Sequence, residues 1–349
     1  MRPAIIIVSY NGRRWLPPAL TSCAQFALGA TVYVVDNAST DGSAELVAQA
    51  FPGAKLIRES KNLGFAGGNN VGIKAALADG AEALFLLNQD AELTAGALAA
   101  LTQYLEQHPR VAAVQPALYL PDGRVNSLGN SYHYLGFGES GGNGLSLEQA
   151  RRTLPWLVDH SEPPYLSGAA VLVRAAALTP VGLFDEELFV YHEDLELCLR
   201  LRLAGWQLAL EPAARVIHHY DHQRSLAQLY YMERNRFLVW LSYFKVPTLV
   251  LLALPALLAE LLMLVAAAMH GWLLPKLRAY AYFFQPSSWR GLLVRRRRLA
   301  ALRTVTDRAL LSHASATIAS AQASPKLLHA FANALGATGW RLIFPLIRW

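Results

Sequence analysis

The first 120 residues alternate short apolar runs, rich in β-branched side chains, with segments of helical character. This alternation predicts βαβ units and a mainly parallel sheet. The apolar runs lack a polar residue at every second position, which is typical of strands buried on both faces. The predicted strands are residues 4–10 (AIIIVSY), 31–36 (TVYVVD), 55–58 (KLIR) and 83–88 (ALFLLN), and the predicted helices are residues 15–26, a segment from 43, about 67–79 and 94–107.

Polar residues directly follow three of these predicted strands, at residues 9–11, 36–41 and 88–90. Ligands of parallel sheets bind outside the carboxyl ends of the strands, so we expect these three turns to line one crevice. A further strand is predicted at residues 165–174. The preceding residues 120–164 are rich in glycine, asparagine, serine and proline, and we interpret them as a long loop over the crevice that contacts an acceptor.

Residues 194–204 (DLELCLRLRLA) are compatible with two structures. Leucines alternate with polar residues, which is typical of a strand. Glu196 and Arg200 are spaced as an i, i+4 helical pair, and Gly205 would end a helix. Periodicity alone leaves both structures open.

The chain divides into two electrostatic parts near residue 222. Residues 1–222 carry 15 lysines and arginines against 22 acidic residues, a net charge of −7, whereas residues 223–349 carry 16 against 3, a net charge of +13. The basic part is also strongly apolar and has few aromatic–basic repeats, so it predicts contact with an anionic membrane surface and not with nucleic acid. With 54% hydrophobic and 16% charged residues, the composition excludes a disordered chain.

The segment Val246–Met269 has Glu260 as its only charged residue. As a helix it would be roughly 36 Å long, enough to cross a hydrocarbon core of about 30 Å. Pro255 and Glu260 near its middle argue against a span, and so does the basic run 295–298, which a span would place on the far side of the membrane. We therefore expect helices that lie in, or dip into, one leaflet.

Two further features bear on location. Trp340 and Trp349 lie beside arginines, a combination that predicts side chains at the headgroup level of a membrane. The two cysteines, Cys23 and Cys198, are too few for a disulfide framework, and no signal peptide precedes the first strand. These features predict a reducing, cytoplasmic environment.

Two polar turns are candidates for binding a nucleotide. In residues 36–43 (DNASTDGS) a carboxylate at a strand end can accept hydrogen bonds from a ribose or a base, although an ordinary Asx turn that caps the next helix explains the same residues. In residues 62–70 (NLGFAGGNN) the glycines allow close backbone approach and the amides can bind a base edge. This loop is not a GxGxxG fingerprint, so a dinucleotide site has only weak support.

Three other clusters are candidates for chemistry, each with a simpler alternative. Residues 88–90 (NQD) offer a carboxylate that suits a divalent cation on a diphosphate, or merely end a strand. Residues 192–194 (HED) follow an acidic run. The neighbouring charges could raise the pKa of one carboxylate into the range of a general base, or the cluster is an ordinary acidic surface turn. Residues 218–222 (HHYDH) contain a metal ligand or form a polar loop. A zinc site has little support, because no CxxC or HExxH motif accompanies the histidines.

Seven motifs occur in order between residues 3 and 240: VSYNG (8–12), VVDNASTDGS (34–43), NLGFAGGNN (62–70), LLNQDAEL (86–93), SGAAVLVR (167–174), GLFDEELFVYHEDLELCLRLRLAGW (182–206) and ARVIHH (214–219). Together they resemble the inverting glycosyltransferases of family 2, which have the GT-A fold, and most closely a rhamnosyltransferase-like bacterial subgroup. The resemblance implies an acidic pair, Glu193 and Asp194, with Asp194 as the catalytic base. It also favours a helix over residues 194–204.

The resemblance implies a site for Mg²⁺ or Mn²⁺ as well. Asp90 matches the metal-binding acid, and His218 matches a second metal ligand, with His219 as the alternative register. Asn88 stands where many relatives have an aspartate, so the metal affinity is expected to be modest. The implied nucleotide-sugar contacts are Ser9, Tyr10, Asn11, Asp36, Asn37, Ser39, Asp41, Asn62, Gly64, Phe65, Gly67, Asn69, Asn70, Asn88 and Gln89.

The predicted fold is therefore α/β: a Rossmann-like GT-A domain over residues 1–240, followed by a helical, basic, membrane-associated region over residues 241–349. The predicted reaction transfers a sugar, with inversion, to a hydroxyl of a polyprenyl-linked glycan in bacterial cell-surface polysaccharide synthesis. The donor suggested by the subgroup is dTDP-rhamnose, with a UDP-hexose or UDP-galactofuranose as the alternative. The predicted location is the cytoplasmic face of the inner membrane. A non-catalytic sugar-nucleotide-binding scaffold is the alternative from another class.

Overall fold

The computed structural model describes residues 1–27, 29–159, 161–220, 226–318 and 326–349. Its strands are β1 (Pro3–Ser9), β2 (Thr31–Asp36), β3 (Lys55–Arg58), β4 (Ala83–Leu87), β5 (Ala91–Leu93), β6 (Val111–Tyr119), β7 (Val125–Ser127), β8 (Asn130–Tyr132), β9 (Gly138–Ser140), β10 (Ala170–Arg174) and β11 (Gln207–His218). In the described residues, nine strands form one sheet in the order β3-β2-β1-β4-β10-β6-β11-β5, with β7 paired to β6. β8 and β9 form a separate hairpin.

The sheet is mixed but mostly parallel. β3, β2, β1 and β4 run parallel to one another, as the alternation of strands and helices predicts. β10 lies antiparallel between β4 and β6, and β11 then runs parallel to β6. Because β10 reverses direction, its first residues lie beside the carboxyl end of β4, where the predicted crevice opens.

Helices cover both faces of this sheet. The predicted helices of the first 120 residues are confirmed, apart from end residues. In the described residues the helices are α1 (Leu16–Phe26), α2 (Ser43–Ala50), α3 (Gly64–Ala78), α4 (Ala97–Gln107), α5 (Leu147–Thr153), α6 (Ala175–Val181), α7 (Glu193–Leu203), α8 (Leu226–Tyr243), α9 (Val246–Met269), α10 (Leu273–Tyr282), α11 (Pro286–Leu302), α12 (Asp307–Leu311) and α13 (Lys326–Ile343).

Two apolar cores lie on opposite faces of the sheet because side chains alternate along each strand. Ile5 belongs to a core that contains side chains of α1 and α4, whereas Ile6 belongs to a core that contains side chains of α3, α7 and α8. Burial on both faces explains why the sequence of β1 is continuously apolar. The second core also contains C-terminal side chains such as Leu310 and Ile347. The helical C-terminal region is therefore packed onto the sheet and its flanking helices.

The structure adds elements that the sequence pattern did not predict. β6 is not predicted because alanine, glutamine and proline have a low propensity for strands. β5 is not predicted because a strand of three residues is too short to show a periodicity. Residues 120–164 are not a plain loop: they contain β7, the β8–β9 hairpin and α5. The helix implied for residues 194–204 is confirmed as α7. The predicted domain boundary between residues 240 and 241 lies inside α8, which continues to Tyr243. That boundary stays a prediction.

The C-terminal helices bury fewer of their apolar side chains than the sheet does. α9 is one continuous helix that includes Pro255. Among the described helices it alone is long and apolar enough to cross a membrane, a criterion that buried helices of soluble proteins can also meet. Few of its residues are buried, and Val250, Leu254 and Leu261 are exposed.

Several C-terminal residues predicted at the membrane surface also contact the rest of the protein. Arg295 binds Asp185 and Glu187, and the guanidinium group of Arg296 donates to the carbonyl oxygen of Phe244 at 2.8 Å. The ring of Trp340 stacks on Tyr134 at 4.6 Å between centroids, and the indole nitrogen of Trp349 donates to Thr248 at 2.7 Å. Both tryptophans are only partly buried, so their position at the headgroup level of a membrane stays a prediction.

Candidate active site

The turns after β1 and β2 form one hydrogen-bonded unit. The backbone N–H of Asn11 donates to the hydroxyl oxygen of Ser39 at 3.0 Å, and the N–H of Thr40 donates to the Asn11 side-chain oxygen at 2.9 Å. The N–H of Gly12 donates to the Ser43 hydroxyl oxygen at 3.0 Å. The structure thus brings the first two predicted turns together, as expected for neighbouring parallel strands.

Asp36 and Asp41 have different roles in this unit. Asp41 accepts from the N–H of Ser43 at 3.0 Å and from the N–H of Arg13 at 2.9 Å, so Asp41 makes the Asx turn that the sequence left open. Asp36 is 5% exposed, and its Oδ1 atom lacks a hydrogen-bond partner within the described structure. A buried carboxylate oxygen without a partner is costly, which fits an atom that binds a ligand.

The predicted loop at residues 62–70 forms the start of α3. Asn37 donates to Gly64 O at 3.0 Å and accepts from the N–H of Leu63 at 2.9 Å, while Asn70 exchanges two hydrogen bonds with the backbone of Phe184. These two amides therefore hold the protein together, and a direct contact to a nucleotide remains a prediction for them.

The other predicted nucleotide contacts lie around the same two turns. The hydroxyl oxygen of Ser9 is buried without a partner in the described structure, and Tyr10 is about half exposed. Gln89 accepts from the N–H of Tyr10 at 3.1 Å. The remaining ones, which all lie at or near the start of α3, are Asn62, Gly64, Phe65, Gly67 and Asn69. At Gly64, where φ is +71°, a Cβ atom would lie 2.4 Å from Phe189 O, so glycine is required.

Asp90 and His218 meet because β5 pairs with the end of β11. The Nε2 atom of His218 lies 3.3 Å from Oδ1 of Asp90, and Nδ1 lies 2.8 Å from the side-chain oxygen of Asn126. In the neutral tautomer that donates from Nδ1 to this oxygen, Nε2 has the lone pair that a metal ligand needs. His219 instead contacts Glu92 at 2.5 Å. The geometry therefore favours His218 over His219 as the second ligand.

This arrangement fits a divalent cation. The 3.3 Å between Asp90 Oδ1 and His218 Nε2 is close to the spacing of two metal ligands at right angles, which with bonds of about 2.1 Å is about 3 Å. Asn88 lies 3.5 Å from the same His218 nitrogen. No cluster of three or more His, Cys, Asp and Glu residues suited to a metal occurs in the described ranges, so phosphate or water oxygens would complete the coordination.

Glu193 and Asp194 begin α7 and face a cleft of about 890 Å³. Asp194 accepts from the N–H of Gly168 at 3.1 Å and from the N–H of Leu195 at 2.7 Å. Burial raises the pKa of Asp194, although these N–H groups oppose the shift. Burial, and then the charge of Asp194, raise the pKa of Glu193 well above its usual range, and the Glu193 Oε2 atom has no partner in the described structure. The two backbone N–H groups stabilise the charged form of Asp194.

Gly168 and Ala169 connect the acidic pair with the cation site. The N–H of Gly168 binds Asp194, and the carbonyl oxygen of Ala169 accepts from the N–H of Asn88 at 2.8 Å. A Cβ atom on Gly168 would lie 3.2 Å from the Phe65 ring, which leaves little space for a side chain. Both residues lie in the motif SGAAVLVR, yet the sequence did not identify Gly168 as a site residue, because its role depends on a contact with a residue 26 positions away.

The backbone before the acidic pair is strained. Phe189, Tyr191 and His192 all have φ between 63° and 67°, a region that costs non-glycine residues about 1–3 kcal/mol each. The side-chain nitrogen of Asn235 in α8 contacts the carbonyl oxygens of residues 188, 190 and 191 at 2.7–3.0 Å. Arg234 also donates to the carbonyl oxygen of Glu187. Asn235 is not among the predicted site residues, although a polar run (ERNR, residues 233–236) inside an aromatic and apolar helix is a signal for it.

The solved structures most useful for comparison share this architecture. The crystal structure of GalNAc-T7 with UDP, GalNAc and Mn²⁺ aligns with a TM-score of 0.55 and 15% identity, over 70% of this chain and 48% of that one. The mannosyltransferase PcManGT from Pyrobaculum calidifontis, in complex with GDP-Man and Mn²⁺, aligns with a TM-score of 0.51 and 18% identity, over 98% of this chain and 80% of that one. The fold is the GT-A glycosyltransferase fold, followed by a helical C-terminal region.

The chain belongs to glycosyl transferase family 2, whose sequence model matches residues 4–178, and it is a glycosyltransferase. The N-acetylglucosaminyl-diphospho-decaprenol L-rhamnosyltransferase of Mycobacterium tuberculosis is 32% identical over 210 residues, which cover 55% of this chain and 67% of that protein. The dTDP-rhamnosyl transferase RfbF of Shigella flexneri is 26% identical over 223 residues, covering 60% of this chain and 70% of that protein. The resemblance to a rhamnosyltransferase-like subgroup is confirmed.

Proposed function

We propose that this glycosyltransferase moves a rhamnosyl group, with inversion, from dTDP-rhamnose to a hydroxyl of a polyprenyl-linked glycan, in bacterial cell-surface polysaccharide synthesis. The observation that carries the proposal is the connection through Gly168 and Ala169: a carboxylate with a raised pKa and a two-ligand cation site flank one short segment. Transfer from a nucleoside diphosphate needs both a base for the acceptor and counter-charge for the leaving group. The names of both relatives, each a rhamnosyltransferase, support the rhamnosyl donor.

In the proposed mechanism the carboxylate of Asp194 takes the proton of the acceptor hydroxyl. The acceptor oxygen forms a bond to the anomeric carbon while the bond from that carbon to the diphosphate oxygen breaks on the opposite face, so the configuration inverts. Asp36, through its unpaired oxygen, accepts a hydrogen bond from the base or ribose. Asp90 and His218 would hold Mg²⁺ or Mn²⁺, which supplies positive charge beside the leaving diphosphate.

The test measures nucleotide release by the purified chain with dTDP-rhamnose, UDP-glucose and UDP-galactofuranose. We expect release and transfer with dTDP-rhamnose, dependence on Mg²⁺ or Mn²⁺, and loss of activity in EDTA. His218→Ala should raise the metal concentration needed for half-maximal rate, and His219→Ala is the matched control at the neighbouring position. Full activity in EDTA would contradict the proposed metal, and preference for a UDP-sugar would replace the proposed donor.

We also propose that the C-terminal helices lie on the cytoplasmic face of the inner membrane. An exposed apolar stripe runs along α9, and exposed apolar side chains such as Leu293 and Val294 extend it onto α11. Glu260, near the middle of α9, binds Arg236 and Lys276 of the flanking helices, contacts that a separate transmembrane span would have to break. Exposed Arg290 and Arg297 supply positive charge beside the stripe. This arrangement supports an interfacial position.

Flotation with anionic vesicles tests the membrane proposal. Val250→Glu places a charge on the stripe and should reduce binding, while Val158→Glu changes an equally exposed valine outside the C-terminal helices and should not. High salt should reduce binding only in part, because apolar burial contributes as well. Equal flotation of both variants would exclude α9 as the contact surface.

A further inference from the structure

The acidic pair directly follows residues 185–192, the linker, which leads into α7. Apart from one short helical turn at Glu186–Leu188, the linker has no regular secondary structure, and its last residues have the strained backbone described above. A strained segment persists only where its surroundings hold it in place. Asn235 of α8 holds the later carbonyl oxygens of the linker. The first residues of the linker are held separately, by side chains.

The turn at the start of the linker is closed by Asp185 and tied to α11 by Arg295. A carboxylate oxygen of Asp185 accepts from the N–H of Glu187 at 3.1 Å. The same carboxylate accepts from Nε of Arg295 at 2.5 Å and from Nη2 at 3.2 Å. Nη2 also forms an ion pair with the carboxylate of Glu187. One guanidinium group of α11 therefore binds the first and the third residue of the linker.

The two carboxylates depend on this guanidinium group. Burial would raise the pKa of Asp185, but the hydrogen bonds and the charge of Arg295 bring it below its ordinary value. Burial would also raise the pKa of Glu187, and the hydrogen bonds from Tyr282 and Arg295 lower it. Without the guanidinium group, two partly buried carboxylates two positions apart would repel each other. We therefore expect the loss of Arg295 to displace the start of the linker.

The placement of Arg295 in α11 differs from that of its neighbours. Leu293 and Val294 are exposed, whereas the side chain of Arg295 is only 16% exposed and is directed toward the linker. Its positive charge is compensated by two carboxylates, so it adds little to a basic surface. α11 lies beyond residue 178, where the match to the family's sequence model ends. The contact therefore joins the C-terminal helices to the segment that carries the acidic pair.

We propose that Arg295 is a positioning residue for the acidic pair: by holding Asp185 and Glu187 it fixes the linker, so that Asp194 is directed toward the acceptor hydroxyl. The inference rests on the proposed function, which makes Asp194 the base. The C-terminal helical region is then part of the catalytic unit as well as a membrane attachment. Arg295 acts through the linker and not on the substrate, so its loss should lower turnover and leave donor binding unchanged.

Hydrogen exchange measured by mass spectrometry reports on the linker without any substrate. Arg295→Met removes the guanidinium group and keeps an unbranched chain. We expect the amides of residues 185–194 to exchange about tenfold faster in this variant, with those of β1 and β4 unchanged. Arg278→Met, at an exposed arginine of α10, is the matched control and should change neither region. Exchange that rises equally in the linker and in the central strands would show general destabilisation and contradict the proposal.

Nucleotide release from dTDP-rhamnose, with water as the acceptor and without lipid, measures the effect on turnover. Arg295→Met should lower kcat about tenfold, less than the loss of the base itself, and keep KM for the donor within about twofold. Arg295→Lys keeps the charge but not the fork of donors, so it should restore part of kcat. A normal kcat in Arg295→Met, or a lower kcat without faster exchange in the linker, would overturn the positioning role.

A double variant tests whether the effect passes through Asp185. Asp185→Asn removes the carboxylate that Arg295→Met leaves without its partner, so the double variant should have a kcat no lower than that of Arg295→Met alone. Losses that multiply would mean that Arg295 acts elsewhere. If the parent protein releases no nucleotide while exchange in the linker follows the prediction, the proposed function fails and the positioning of the acidic pair by Arg295 stands.

Discussion

Two groups of buried charges differ in how they are paired. Glu193 and Asp194 line the cleft without a cationic partner, and burial raises the pKa of both. Beside them, in the C-terminal half, Glu233 and Glu260 are paired with Arg236 and Lys276 at distances of 2.5–3.1 Å, across α8, α9 and α10.

The comparison shows that pairing, more than burial, sets the chemistry of these carboxylates. Burial alone would raise the pKa of Glu233, but Arg236 and Lys276 lower it below its usual value. The paired group is held in its charged form and fixes three helices to one another. The unpaired group has carboxylates whose pKa is raised, which is the direction that a general base needs.

The largest expected effect is the loss of the base. Asp194→Asn should reduce transfer by about 10²- to 10⁴-fold, because proton abstraction from the acceptor is lost. Binding of the nucleotide sugar should stay within a few-fold, since the turns after β1 and β2 are unchanged. Single-turnover transfer and donor titration measure the two quantities. Near-normal transfer would show that Asp194 is not the base.

Removing one cation from the paired group should be the largest effect on stability. Lys276→Met leaves two buried carboxylates with Arg236 alone, and losing one partner of a buried pair costs about 3–5 kcal/mol. Urea unfolding measures the change in the free energy of unfolding. Lys245→Met, at an exposed lysine beside the start of α9, is the matched control and should change it little. A loss of less than about 1 kcal/mol in the Lys276 variant would mean that this pairing is not stabilising.

Asn235 connects the two halves of the comparison, because it lies in the same polar run as Glu233 and holds the strained backbone before Glu193. Asn235→Asp keeps the shape but removes the donor, and the lost hydrogen bonds should cost about 1–3 kcal/mol. We expect kcat to fall about tenfold or more, with donor binding unchanged, because the acidic pair is displaced. Rate and donor affinity falling together would indicate general destabilisation instead.

The smallest expected effect is on the pH dependence of stability. The raised pKa of Glu193 means that the folded protein holds its proton more tightly than the unfolded chain. Stability should therefore fall as the pH rises from the usual carboxyl range, near 4.5, toward the raised pKa, by about 1.4 kcal/mol per unit of difference. Glu193→Gln should flatten this part of the curve, measured by thermal unfolding between pH 4 and pH 8.

Glu148→Gln is the control for that measurement, since Glu148 is an exposed carboxylate in a surface ion pair with Arg152. Its stability curve should follow that of the parent protein. A parallel shift of both variants would show that the pH dependence does not arise from Glu193.

The tertiary structure shows that part of the basic run 295–298 is compensated within the protein. Arg295 forms ion pairs with two carboxylates, so its charge is neutralised. Arg296 and Arg298 donate to backbone carbonyl oxygens and keep their positive charge, and Arg290, Arg297 and Arg298 are exposed. A count of basic residues overestimates membrane charge because it ignores partners that come from distant parts of the chain.

The sequence by itself determined the features that depend on near neighbours. The alternation of apolar runs with helices, and the polar turns at the strand ends, predict the parallel half of the sheet and its crevice, because periodicity and turn chemistry are local. The tertiary structure decided the rest. The pairing of β5 with β11 brings Asp90 to His218, Gly168 contacts Asp194, and residues 312–317 close the cleft. These contacts depend on strand register and helix packing over tens to hundreds of residues, which no local pattern encodes.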